Sequence, residues 1–253
     1  MSSVAIASIV FGCSFTAALI GMALYVKLPD RLLNAESRDL VKLVMGLIAS
    51  MSALVLSLLI ASANTSRDQQ ISQMKVLSAN LILLDRTLEL YGPDAKAARD
   101  GLHDIVWKTH DLIWSSDGVR PEKLDAPETQ RSARSDIERL QQLSPRTDDE
   151  RAIKSRALQE ADAISQTRLL MFMELGGPIS WPFLAVLVFW ISMLFLGFGL
   201  CARLNATVTL AHFVGALSVA GAIFLVLELN DPYHGLMRIS DEPLRNAMAQ
   251  MGR

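Results

Sequence analysis

The run DLVKLVMGLIASMSALVLSLLIASANTSRDQQISQMKVLSANLILLDRTLELY, residues 39–91, decides how the chain folds. Its first part, Leu43 to Ala63, is an apolar span of the length a bilayer needs. The remainder, from Asn64 onward, is more polar yet keeps helical spacing, and the run holds no proline and no glycine after Gly46. The stretch therefore reads as one helix that crosses a membrane and continues beyond it. At ~1.5 Å per residue it would be about 78 Å long, of which ~30 Å can lie in hydrocarbon. Roughly 45 Å is left to stand in water as a stalk.

Two patterns divide this helix. In the stalk, Ile71, Met74, Leu77, Leu81, Leu84, Leu88 and Tyr91 recur at alternating steps of three and four, the spacing of a buried seam. In the membrane half, Gly46, Ser50, Ala53, Ser57, Ala61 and Asn64 share one face, all small or polar, while Leu47, Leu54, Leu58 and Leu59 cover others. Such a stripe is most often a close helix contact. The sharper reading is a pore wall, where hydroxyls and backbone face water.

The whole chain agrees with a membrane assignment. Its 253 residues are 51% hydrophobic, with a mean hydropathy of +0.31 and a formal charge of -2, the profile of a membrane protein with a sizeable hydrophilic insert. Near-neutral charge gives no argument for nucleic acid. Cys13 and Cys201 fall in or beside apolar spans and offer neither a disulfide framework nor a metal site. No nucleophile–base constellation or phosphate-binding glycine loop is present, so an enzyme and a cofactor are not expected.

Outward from the long helix, the chain reads as an all-α protein with four spans. Residues 1–63 form a first transmembrane hairpin, with spans at 4–26 and 43–63; the first lacks the basic n-region of a secretory signal and is kept as a helix. Pro29 stops that helix, and Ser37 is placed to cap the next. Residues 64–177 form a helical extramembrane domain. Within it, Gly92-Pro93-Asp94 makes a turn, and a helix from about Ala95 to Ser115 folds back, with Leu102, Ile105, Thr109 and Leu112 on one face, to cover the seam.

That returning helix repeats His103-Asp-Ile-Val-Trp107 as His110-Asp-Leu-Ile-Trp114. Seven residues put the histidines about 10.5 Å apart along the axis, too far to chelate one ion, so a packing repeat with aromatic anchors is expected over a metal site. Ser116 to Pro127 reads as a surface loop and Glu128 to Leu143 as an outer, polar helix. Thr147-Asp-Asp-Glu150 is a capping box that opens a helix running back toward the membrane, broken at Gly176-Gly177-Pro178.

Residues 178–230 form the second transmembrane hairpin, with spans at 179–200 and 206–229, and 231–253 form an amphipathic C-terminal segment. Trp181 and Pro182 open the third span, and Asn205 is the expected cap of the fourth. In the fourth, Ala211, Gly215, Ser218 and Ala222 form another small stripe suited to helix contact. His212 reads as a packed, hydrogen-bonded residue. Glu228 faces the unfavourable end of its helix dipole and needs a compensating cation, for which Arg67 and Arg238 are candidates because four spans bring all three out on one side. Basic residues near the membrane divide evenly between the two sides, so charge does not orient the chain.

Several stretches together resemble a known family. They are Glu36-Ser37-Arg38-Asp39-Leu40-Val41-Lys42, Leu84-Asp85-Arg86 followed by Tyr91-Gly92-Pro93, Trp181-Pro182-Phe183, Asn205-Ala206-Thr207-Val208, and Ala220-Gly221-Ala222-Ile223-Phe224-Leu225 continuing to Glu228-Leu229 and Pro232. They are similar to the bacterial bestrophin-like membrane proteins, and the likeness is weakest from Gly101 to Ser144. Kinship with bestrophins implies a homo-oligomer, a pentamer by analogy, that conducts inorganic anions. It also implies a second span that lines the pore and runs on into a cytosolic helical domain, in a bacterial inner membrane. The large apolar side chains of the bestrophin neck have no counterpart in the Gly46 to Asn64 stripe.

Two functions are expected on this basis. In an ion channel, Gly46, Ser50, Ala53, Ser57, Ala61 and Asn64 line the pore, and Glu228 with Arg67 or Arg238 forms a charged gate. If anions pass, the Ser50 and Ser57 hydroxyls and the Asn64 amide supply donors; if cations pass, the Glu228 carboxylates attract them. The rival is a non-conducting membrane scaffold or sensor whose helical domain recruits a partner.

Overall fold

Helical periodicity and long apolar runs dominate the sequence, and helices make the fold. The computed structural model describes residues 2–27, 35–114, 138–174, 181–202, 205–230 and 237–252. Among the described residues the helices are α1 (Ser3–Lys27), α2 (Ala35–Tyr91), α3 (Lys96–Trp114), α4 (Asp148–Glu174), α5 (Trp181–Leu200), α6 (Ala206–Leu229) and α7 (Glu242–Met251), with a 3-10 turn at Pro93–Ala95 and a short helical stretch at 138–142. Four of them, α1, α2, α5 and α6, are long and apolar enough to cross a bilayer. This is an all-α integral membrane protein whose second helix runs unbroken for 57 residues.

The chain divides into two units, Met1–Ser66 with Pro178–Asn230, and Arg67–Gly177 with Asp231–Arg253. In the first, α1 packs along both α5 and α6. The α1–α5 crossing depends on two glycines. A Cβ on Gly21 would run into the Leu196 carbonyl oxygen and come 3.0 Å from Gly199 Cα, and one on Gly199 would strike the Ala18 carbonyl and lie 2.9 Å from Met22 N. Backbone meets backbone here, the close approach that small residues permit in membranes. Gly199→Leu is expected to prevent α1 and α5 from docking, read as loss of the monodisperse peak in detergent; a folded, monodisperse variant would contradict this packing.

The buried face of α6 is Ala216, Ala220, Ile223 and Leu227, one register away from the expected small stripe, of which Ala211 and Ser218 are exposed and Gly215 and Ala222 half-buried. Ile223 and Leu227 join Ile6, Val10 and Leu184 in a core between α1, α5 and α6. By contrast, the apolar part of α2 is mostly exposed. Only Met45, Ser52 and Ala63 are buried there, and Met45 Sδ occupies the space beside Gly197, 2.5 Å from where a Cβ would stand.

In the second unit the seam of α2 is buried as its spacing predicts. Met74, Leu81, Leu84, Leu88 and Tyr91 form one core with Ala98 and Val106 of α3, Ala157, Ala161, Ile164 and Met171 of α4, and Leu244, Met248 and Met251 of α7. Gly92, at φ 97°, supplies the left-handed backbone that turns the chain from α2 into α3. The capping box forms at the start of α4: Glu150 N–H donates to Thr147 Oγ1 (3.1 Å), while Glu150 Oε2 accepts from the Arg146 and Thr147 amides. Lys154 Nζ reaches back to the carbonyls of Gln141 (2.6 Å) and Leu143 (2.7 Å), satisfying acceptors at the end of the helical stretch 138–142.

Of the two expected caps, one needs correction and the other holds in position only. α2 begins at Ala35, so Ser37 lies inside its first turn. Asn205 occupies the N-cap of α6, but its side chain makes no capping bond, and the Thr209 hydroxyl instead donates to its carbonyl at 3.1 Å. The stop at Pro29, the loop over 116–127, most of the helix expected over 128–143 and the break at 176–178 lie outside the described residues.

Candidate functional site

The stripe on α2 is a register, not a pocket. Gly46, Ser50, Ala53, Ser57, Ala61 and Asn64 recur every three to four residues and all six are exposed. Among the described residues nothing lies within 4 Å of where a Gly46 Cβ would be, so no described helix of the same protomer packs there. The close helix contact expected of a small stripe is thus not made at Gly46 among the described residues of the protomer, and a contact with another copy or a pore wall are the readings that fit this exposure. The helix meets its own chain through Met45 and Ser52 instead.

Exposure alone does not make this face distinctive, because Leu43, Leu47, Leu54 and Leu58 are exposed as well. Chemistry separates them. Ser50 Oγ donates to the Gly46 carbonyl at 3.0 Å, the back-bonding that lets a hydroxyl sit in an apolar helix. In hydrocarbon a leucine face costs nothing, whereas a serine and asparagine face is better placed against water or a partner.

Of the proposed charged group, Glu228 is 6% exposed in the last turn of α6 and belongs to the first unit. Arg67 is half-buried and Arg238 exposed, and both belong to the second. His212 is packed as expected: its Nδ1 lies 2.8 Å from the Val208 carbonyl, and its ring meets Phe195 edge-on at 6.0 Å.

A charged cluster in the second unit was not foreseen. Asp85, only 2% exposed, accepts from Arg99 Nε (2.7 Å) and Nη2 (3.0 Å) in a bidentate pair and meets His103 Nε2 at 2.7 Å. Arg99 Nη2 also reaches Glu89 at 3.5 Å and the Met251 carbonyl at 3.4 Å. Three elements thus share one carboxylate: α2 supplies it, α3 clamps it, and the end of α7 is tied to the clamp. The hydrogen bond to Asp85 raises the Arg99 pKa against the opposing effect of burial.

The heptad repeat of α3 is the visible trace of this arrangement. His103 takes Asp85, while one heptad on, His110 Nε2 lies 3.2 Å from Asp241 and its ring stacks on Trp114 at 5.4 Å. Trp114 Nε1 donates to the Ile239 carbonyl at 3.2 Å, so this half of the repeat holds the C-terminal segment. Trp107 is 41% exposed and does not anchor the core as its counterpart does. Among the described residues no group of three or more His, Cys, Asp or Glu is placed to hold a metal ion.

A family profile described as a bestrophin-like domain matches residues 12–244. A crystal structure of a bacterial bestrophin homologue from Klebsiella pneumoniae, in a tryptophan-to-alanine variant, superposes with a TM-score of 0.67 at 14% identity, covering 100% of this chain and 99% of that one. A crystal structure described as a membrane protein, in a proline-to-alanine variant, gives 0.66 at 13% identity, covering 97% and 100%. An isoleucine-to-threonine variant of the Klebsiella pneumoniae homologue gives 0.61 at 13%, covering 97% and 98%. At these identities the likeness is one of fold. No curated protein matches.

Proposed function

We propose, from the premise that this chain belongs to the bestrophin-like family, that copies of it assemble into an anion channel with α2 of each protomer lining the pore. The observation that carries this reading is the exposed stripe from Gly46 to Asn64, small and polar in the middle of an otherwise apolar span. Four spanning helices per protomer are too few to enclose a wide pore, but a ring of second helices, five by analogy with bestrophins, encloses one. The protein sits in a bacterial inner membrane with its helical unit in the cytoplasm.

Anions are favoured because the stripe offers donors and no carboxylate. Ser50 and Ser57 are hydroxyls that rotate, so the bond from Ser50 to the Gly46 carbonyl exchanges for one to a passing ion at little cost. The Asn64 amide adds a donor at one end of the stripe. Its small side chains set the pore width, in place of a narrow ring of bulky apolar groups.

Ion flux into liposomes holding the purified protein tests the reading, with chloride and potassium gradients compared. Chloride flux exceeding potassium flux is expected. Potassium flux exceeding chloride would contradict the anion assignment and turn attention to the Glu228 carboxylates. No flux of either ion, from a protein shown to be folded and oligomeric, would favour a scaffold.

A further inference from the structure

At the start of the second unit, α2 carries Arg67 and Gln70 before the first buried residue of its seam, Met74. The three are spaced by three and four and share the packed face of the helix. Gln70 is 6% exposed, and its buried Oε1 has no hydrogen-bond partner. The buried Nε of Arg67 has none either. On α4, Arg168 lies between Ile164 and Met171, at spacings of four and three, and both neighbours belong to the same core as Met74. Among the described residues no hydrogen bond or ion pair reaches Arg168, and burial alone lowers its pKa.

The topology brings these residues to one end of the unit. α4 returns antiparallel to α2, because Arg146 lies 3.8 Å from Asp94 at the turn. The Tyr91 hydroxyl, its pKa raised first by burial, also feels the charges of Glu150 and Asp94. From Tyr91 back to Met74 and from Glu150 on to Arg168 the two helices descend by nearly equal lengths, about 26 and 27 Å. Arg168 therefore stands level with Met74, about one turn from Gln70 and two from Arg67. Two guanidinium-bearing residues and a buried amide are thus brought to the same end of the unit.

We propose that Arg67, Gln70 and Arg168 form a binding site for a phosphate-type oxyanion, carried either by free inorganic phosphate or by the headgroup of an anionic lipid. Arg67 and Arg168 are both half-buried; a guanidinium partly withdrawn from water without a counter-charge is unfavourable, and an anion between two of them removes that penalty. Guanidinium forks match the oxygens of a phosphate in pairs, which a spherical halide does not exploit. Gln70 completes the site in either orientation: its amide N–H₂ turns to donate to a phosphate oxygen, or its Oε1 accepts the proton of hydrogenphosphate. The site stands independently of ion conduction.

The test uses the full-length protein in detergent and follows thermal unfolding and calorimetric binding at constant ionic strength. Inorganic phosphate, chloride, and mixed micelles containing phosphatidylglycerol are compared for wild type, Arg67→Met and Arg168→Met. Stabilisation by phosphate is expected in wild type, with binding weakened at least about tenfold in either variant. Stabilisation by phosphatidylglycerol alone, lost in both variants, upholds the site and makes a lipid phosphodiester its ligand. An equal response in all three proteins, no response to phosphate or phosphatidylglycerol, or a chloride response as large as that to phosphate would each overturn the proposal. Should a methionine variant not fold, Arg168→Lys keeps charge and stem but loses the fork, and is expected to bind phosphate about tenfold more weakly; unchanged affinity overturns the proposal.

Discussion

Asp85→Ala lowers the apparent Tm of the full-length protein in detergent by roughly 6–12 °C, the shift that about 3 kcal/mol produces in a chain of this size. The carboxylate is buried and answers three donors, so its removal takes the acceptor from the His103 ring and the bidentate partner from Arg99, which keeps only its longer contacts to Glu89 and the Met251 carbonyl. Both are partly exposed and recover some hydration, which keeps the loss at the low end of the roughly 3–5 kcal/mol range for a broken buried pair. Release of α7 adds to it, since Arg99 also holds the Met251 carbonyl. A Tm within about 2 °C of wild type would show that the cluster holds nothing.

The same substitution has a pH signature. Burial acts to raise the Asp85 pKa, but the hydrogen bonds and charges of Arg99 and His103 outweigh it and hold the carboxyl below its ordinary 3.8. Asp85 lies on the stalk, well past the apolar run that ends at Ala63. A carboxyl with a depressed folded-state pKa contributes stability that is present in full above the unfolded-state value and fades as pH falls toward the folded one. The Tm gap between wild type and Asp85→Ala is therefore widest above pH 3.8 and narrows below it. A gap that widened in acid would contradict the assignment.

The long helix, its seam and the capping box were legible because each is written locally. A helix without proline or late glycine continues, a three-four apolar repeat buries one face, and Thr147 with Glu150 satisfies amides within one turn. The Asp85 cluster was not legible, since its members come from separate helices that only the fold brings together. One signal was present: Asp85 follows Leu81 by four and precedes Leu88 by three, an acid on the buried face of an otherwise apolar seam. In the spans the limit was different. α6 is apolar on every side, so composition could not say which small residues face inward, and the buried set proved to be Ala216 and Ala220. Gly21 and Gly199 escaped notice for a related reason, because a glycine in an apolar run reveals its contact only when the facing backbone is seen.

Chloride flux through liposomes holding Ser57→Trp, measured beside wild type and Leu58→Trp, tests the pore most directly. Both residues are exposed on α2, Leu58 at 63%, and as consecutive residues they stand about 100° apart around the helix. Neither is packed away among the described residues of the protomer, so a difference between the two variants reports what each side of the helix meets in the assembly. In the proposed pore a ring of indoles at Ser57 fills a lumen lined by small side chains, and flux is predicted to fall to the level of empty liposomes. At Leu58 the indole replaces one apolar side chain with another, and flux is predicted to stay near wild type. Undiminished flux in folded, reconstituted Ser57→Trp, or block by Leu58→Trp alone, would contradict the assignment of this stripe as the pore wall.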